Sequence, residues 1–166
     1  MVSFDALQTL VIARLRAVLP TIRHVPGGLR HVADELPEWT TVWLVPEAAA
    51  VRRRGHPERL AVEVVVHLFS RSREATTPAL ARVDALRTAL DHAVLQLSPT
   101  DPQAADPTAT DDPPATDDPP GVGGSPGVML RLRETEVADL TPGDDPSGVA
   151  PRHLVLTTPA VAEPLN

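Results

Sequence analysis

The chain has 166 residues, of which 42% are hydrophobic but only 2% aromatic, and its formal net charge is −7 at pH 7. This length suits a single domain with one core, which must be built from aliphatic side chains. Cysteine is absent, which excludes disulfides, thiolate zinc sites and cysteine nucleophiles. Six of the net negative charges fall in residues 98–127, so the rest of the chain is close to neutral. A general nucleic-acid binder normally shows a basic face, and this balance argues against one. We also predict no sequence-specific nucleic-acid binding.

Neither a membrane helix nor a signal peptide is indicated. No apolar run approaches the roughly 18 residues that a membrane helix needs. The first ten residues, MVSFDALQTL, lack the basic start and the uninterrupted apolar core of a signal peptide. We therefore expect a soluble intracellular protein without membrane partners.

The first half of the chain predicts one helix and two strands. Residues 3–19 carry apolar side chains at helical spacing, with Ser3 as a suitable N-cap, and Pro20 ends the pattern. Residues 21–38 are ambiguous, and a short strand over 21–25 is one interpretation. The β-branched and aromatic residues of 40–45 predict a strand.

Residues 60–70 (LAVEVVVHLFS) predict the clearest strand. Its even-numbered positions from 60 to 68 are wholly apolar, whereas its odd-numbered positions are mixed. One face should therefore lie in the core, and a helix or another subunit should cover part of the other face. This pattern predicts a central strand.

The second half predicts a helix, a long loop and two strands. The helix begins at Thr77-Pro78, with Thr as N-cap and Pro at the first helical position, and should end near Leu97. Residues 128–137 alternate as a half-buried strand, 141–148 read as a turn, and 152–158 predict a last strand before a loose tail. The fold class expected is α+β: a small, mainly antiparallel sheet with two helices packed on one face. The long Asp/Pro-rich loop is inserted before the last two strands.

The loop contains the repeat ATDDPPATDDPP at residues 109–120. Its paired carboxylates suggest calcium, but the bend glycine, the alternating oxygen ligands and the terminal glutamate of an EF-hand loop are missing. The prolines stiffen the segment towards an extended polyproline conformation. We interpret residues 98–127 as a flexible acidic insertion within a single domain spanning 1–166, and we predict no metal site.

The remaining motifs make a poor case for an enzyme. Arg52, Arg53 and Arg54 form a loop cluster that suits either partner docking or a solvated hairpin tip, and both interpretations stay open. His67 lies on the mixed face of the central strand, where a packing role is more common than catalysis. GVGGSPG at 121–127 lacks the GK[ST] ending of a phosphate loop, and no nucleophile elbow is present. We predict no catalytic residues and no cofactor.

Two phrases carry a family resemblance: VEVVVHLFSRSR at residues 62–73 and PALARVDALRTALDHAV at 78–94. Preceded by an amphipathic helix and followed by a variable loop and two strands, they resemble the tail terminator (tail completion) proteins of long-tailed bacteriophages. The strongest match covers residues 60–97. The Asp/Pro insertion departs from the shorter connection usual in that family.

The resemblance implies a structural virion protein that forms a closed ring, usually of six subunits, on the head-proximal end of the tail tube. Such a ring ends tube polymerisation and joins the tail to head-completion proteins. Its partners would be further copies of the chain, the tail tube protein and a neck protein, in a virion assembled in the host cytoplasm. Charge, loop position and the mixed strand face suggest these interface residues: Arg52, Arg53, Arg54, Val65, His67, Phe69, Arg71 and Arg73. A head-closure or neck protein of the same virion, or an unrelated bacterial α+β interaction module, would also fit the sequence.

Overall fold

The computed structural model describes residues 3–27, 36–47, 59–71, 76–98, 127–141 and 152–165. These residues form two helices and a mostly antiparallel sheet of seven strands, which confirms the α+β class. The elements in chain order are α1 Phe4–Val18, β1 Arg23–Pro26, β2 Glu38–Pro46, β3 Leu60–Ser70, α2 Thr76–Leu90, β4 Val94–Leu97, β5 Val128–Leu132, β6 Glu136–Asp139 and β7 Arg152–Pro164.

The strand order across the sheet is β1-β2-β3-β7-β5-β4, and β6 pairs with β7 beside β5. Among the strand pairs formed by the described residues, only the pairing of β1 with β2 is parallel. The short strand over 21–25 that was one interpretation of the sequence thus exists as β1, shifted by two residues at its start. No helix in the described part of the chain is both long and apolar enough to cross a membrane.

Strand β3 lies at the centre of the sheet and confirms the prediction made from its alternation. Val62, Val64, Val66 and Leu68 are at most 1% exposed, while the odd-numbered residues between them are half-buried. Each of these buried aliphatic side chains contributes about 1.5–3 kcal/mol to the free energy of unfolding. The even-numbered side is therefore the core face of the sheet, and we call the opposite side the outer face.

Both helices contribute to the same core. Leu7, Val11 and Leu15 of α1 are fully buried and belong to one cluster with Leu86 and Leu90 of α2 and with the core face of β3. Helix α1 contacts β1 and β2 at one end of the strand order and β4 and β5 at the other. The sheet must therefore curl around this helix. Ser3 stands at the predicted N-cap position, although its hydroxyl makes no capping hydrogen bond.

The prediction that the second helix runs to Leu97 is wrong. Helix α2 ends at Leu90, and His92 adopts a left-handed backbone with φ of 51°, which stops helical propagation. The N–H of His92 donates to the carbonyl of Arg133, and Val94–Leu97 then pairs with β5 as β4. Val94 fits the helical stripe in sequence, but on this edge strand it is 49% exposed. A short apolar run at a helix end does not distinguish helix from strand.

The predicted strand over 128–137 is interrupted by a β-bulge. Leu132 pairs with Ala160 and Glu136 pairs with Thr157, so three residues on one strand face two on β7. One residue is therefore extra, as in a bulge that bends a strand. The hydroxyls of Thr135 and Thr158 lie 2.9 Å apart, which ties the bulge to β7.

The prediction of a loose tail after Thr158 is also wrong, because β7 continues to Pro164. The second half of this strand pairs with β3 on one side and with β5 on the other. Pro159 is unexpected inside a central strand, since proline cannot donate to a ladder. Its carbonyl accepts the N–H of Arg133, so its backbone nitrogen also points to the bulged side. The position without an N–H therefore faces the bulge, and no hydrogen bond between β7 and β3 is lost.

Several predictions concern residues outside the described ranges. The acidic insertion lies outside them except for Ser98 and Gly127, and so do Arg52, Arg53, Arg54 and Arg73.

Candidate functional site

The candidate site is the outer face around the middle of β3. The odd-numbered side chains Glu63, Val65, His67 and Phe69 are half-buried there, and Arg71 is exposed at the end of the row. The register places further outer-face residues beside them: Trp39, Thr41, Trp43 and Val45 on β2, and His153, Val155, Thr157 and Pro159 on β7. Three adjacent strands therefore contribute to one face, on which Trp39 and Val155 are buried at 5% and 7% exposed.

Four rings form an aromatic strip across these strands, made of Trp39, Phe69, His153 and His67. Trp39 and Phe69 are stacked with centroids 5.0 Å apart and planes 16° apart, and Phe69 stacks on His153 at 4.5 Å and 16°. Contacts of this kind between aromatic rings contribute about 0.5–1.5 kcal/mol each beyond their burial. The guanidinium of Arg71 lies 5.5 Å from the centroid of the Trp39 ring, in cation–π range. The strip is thus ordered by contacts within the chain.

The two histidines of the strip share a hydrogen bond. Nδ1 of His67 and Nε2 of His153 are 2.8 Å apart, with ring centroids at 5.1 Å and planes 23° apart. These values describe rings that meet nitrogen to nitrogen and nearly in one plane, rather than face to face. One nitrogen must carry the proton and the other must accept it. Protonating both facing nitrogens would break the bond.

The surroundings favour the neutral form of both rings. Burial, reinforced by the nearby His153, lowers the pKa of His67 below its ordinary value of 6.5. Burial also lowers the pKa of His153, although the carboxylate of Asp139 acts in the opposite direction. The pKa of Asp139 is itself held down, first by its hydrogen bonds with Thr141 and then by Arg152. In the paired state neither facing nitrogen is free to act as a general base.

The surface beside the strip is apolar and partly exposed. Trp43 is 44% exposed and Val45 is 45% exposed. The Trp43 ring lies over Gly27, where an added Cβ would come within 2.2 Å of its Cδ2 atom. The glycine thus lets the ring lie flat on the end of β1. An exposed tryptophan in this position is typical of a protein–protein contact.

Within the described ranges, no group of three or more His, Asp or Glu side chains is placed to hold a metal ion. The arrangement offers rings, aliphatic side chains and charged ends.

The structure brings four of the predicted interface residues together: Val65, His67 and Phe69 lie in one row on β3, and Arg71 follows directly after the strand. Sequence reasoning missed Trp39 and His153 as members of the same surface. His153 is 86 residues from His67. Only the pairing register of β3 with β7 reveals their contact, whereas alternation along β2, had the predicted strand included Trp39, could have shown that Trp39 shares a face with Trp43.

No protein-family model matches the chain, and a search of the curated proteins gives no match.

Proposed function

We propose that this chain is a structural virion protein that forms a ring on the head-proximal end of a phage tail tube. The ring ends tube polymerisation and joins the tail to head-completion proteins. The observation that supports this function best is the outer face, where an ordered aromatic strip adjoins exposed apolar side chains. In this proposal both helices cover the core face, so that the outer face stays available for assembly.

Sheet edges support ring formation. Among the described strands, β1 and β4 are the end strands of the order, and β6 pairs only with β7. Each of these strands leaves one edge without a partner strand in that part of the chain, and an unpaired edge is a template for a neighbouring subunit. On β6, Val137 is 41% exposed, and Leu140 directly after the strand is 54% exposed. Head-to-tail contacts of this kind close into rings when the rotation between subunits allows it.

The proposal gives each predicted segment a place. Arg52, Arg53 and Arg54, together with Arg71 and Arg73, contact the tube or an adjacent subunit. The Asp/Pro-rich loop between β4 and β5 projects from the outside of the ring as a spacer. Neither role requires a catalytic group or a cofactor.

Deletion of the gene, followed by electron microscopy of lysates, tests the proposal. We expect overlong tails with detached heads, and normal tails when the intact gene is supplied in trans. A gene lacking codons 104–121 is the matched variant, because a spacer should be dispensable. Normal-length tails in the deletion lysate would contradict tail termination. Normal-length tails without heads would point to a neck protein instead.

A further inference from the structure

We propose that two free copies of this chain pack their outer faces together about a two-fold axis that passes by His67. This contact goes beyond the ring, because a two-fold contact closes with two subunits and cannot build a ring by itself. The occupant of the outer face in the free protein is therefore a second copy of the same surface.

The charges along β3 carry this inference. On the outer face the strand reads Glu63, Val65, His67, Phe69 and Arg71, so charges of opposite sign stand four residues on either side of His67. A two-fold rotation that reverses the strand direction places Glu63 of each subunit over Arg71 of the partner subunit, which gives two such pairs. A parallel arrangement would instead bring like charges together, which is unfavourable.

Glu63 lacks a counter-charge within the described part of its own subunit. Its cross-strand neighbours are Val45 on β2 and Pro159 on β7, and none of the ion pairs among described residues includes it. A half-buried carboxylate between two apolar residues gains from a guanidinium supplied from outside. The partner subunit's Arg71 would supply that group while it keeps its contact with the Trp39 ring.

The dimensions of packed sheets permit the contact. Glu63 and Arg71 each lie about 13 Å from His67 along the strand. Two sheets that pack face to face lie about 10 Å apart and cross at about 30°, which displaces the charged ends by about 7 Å. An arginine and a glutamate side chain together span that displacement.

The apolar residues match under the same rotation. Trp39 and Trp43 stand at equal distances on either side of Thr41 on β2, and Thr41 is the neighbour of His67. The rotation therefore places the exposed Trp43 over the partner subunit's Trp39, which is itself only 5% exposed because its ring lies under Arg71. Trp43 would thus supply the large apolar contact near the charged pairs, as an aromatic anchor does in stable protein interfaces.

Charge reversal in the full-length chain tests the two-fold contact by sedimentation equilibrium. Wild type should be a dimer. Glu63→Arg and Arg71→Glu should each weaken the dimer by at least about tenfold, because each brings two like charges together twice. The double variant Glu63→Arg/Arg71→Glu should recover dimerisation, since the exchange restores both pairs. Arg87→Glu, on the exposed side of α2, is the control with the same change of charge and should dimerise like wild type.

A second measurement locates the axis. Because the chain has no cysteine, Thr41→Cys introduces a single thiol beside the axis, and a short bismaleimide should link two copies. Thr88→Cys on α2 should stay unlinked. A monomeric wild type, or a double variant as weak as the single ones, would overturn the two-fold contact. A mass of six subunits that the charge reversals do not change would also overturn the two-fold contact, although it would support the ring. Recovery of the dimer by the double variant would support the two-fold contact even if the deletion phage made tails of normal length.

Discussion

Thr40→Val should destabilise the fold through one buried histidine. His24 is 2% exposed, and its Nε2 lies 2.9 Å from the carbonyl oxygen of Leu19 at the end of α1. A carbonyl only accepts, so Nε2 carries the proton. Burial lowers the pKa of His24 below 6.5, and the ring is therefore neutral at pH 7. Its Nδ1 must then accept the hydroxyl proton of Thr40, 2.7 Å away.

Valine keeps the shape of Thr40 and suits a strand, but it removes this donor. A buried acceptor left without a partner costs about 1–3 kcal/mol. For a chain of this size each kcal/mol shifts the melting temperature by about 2–4 °C, so we expect a fall of about 2–12 °C. Nearly all of the penalty should come from the lone pair of Nδ1, because little apolar contact is lost.

Urea and thermal unfolding at pH 7.5 measure the effect. Thr88→Val, the same change on the exposed side of α2, is the control and should stay within about 0.5 kcal/mol of wild type. In a His24→Leu background, which has no acceptor, Thr40→Val should cost nothing. Equal stabilities for Thr40→Val and Thr88→Val, or an unchanged penalty without His24, would refute the assigned proton positions.

Three further predictions concern pH, a glycine and the acidic repeat. Because the pKa values of His67 and His153 are lowered from 6.5, the folded chain binds fewer protons than the unfolded chain, and its free energy of unfolding should fall as the pH drops below 6.5. Urea titrations at pH 7.5 and 5.5 should show a smaller fall in the free energy of unfolding when His67 and His153 are both replaced by glutamine. A fall equal to that of wild type would contradict this prediction. Gly27→Ala should displace the Trp43 ring and change tryptophan fluorescence, since the new Cβ would lie 2.2 Å from Cδ2; an unchanged spectrum would count against that contact. Deletion of residues 104–121 should leave the melting temperature unchanged with or without calcium, and unfolding of the variant or stabilisation by calcium would show that the segment is more than a spacer.

Local periodicity was sufficient to predict α1, the bounds of β3 and the faces of β3. In each case the signal lies in one uninterrupted run of residues whose burial follows a fixed period. The end of α2 could not be predicted, because Val94 continues the helical stripe while the left-handed backbone at His92 depends on its bond to Arg133. Contacts between distant segments decide such cases, and local propensity does not contain them.

The candidate site shows the same division between local and distant information. The mixed face of β3 identified Val65, His67 and Phe69 from alternation alone. The aromatic strip also needs His153, whose strand begins beyond the long insertion and whose partner lies 86 residues earlier. No spacing in the sequence specifies which residue of β7 stands beside Phe69.

The position of His153 follows from the register of β7, and this register is fixed by Pro159 and by the bulge opposite it. A shift of one residue would exchange the faces of the strand, placing His153 in the core and Leu156 on the outer face. Pro159 would then meet a regular part of the ladder instead of the bulge, and the hydroxyl contact between Thr135 and Thr158 would be lost. The proline and the bulge thus exclude the shifted register. The irregular features of β7 therefore place the second histidine of the site.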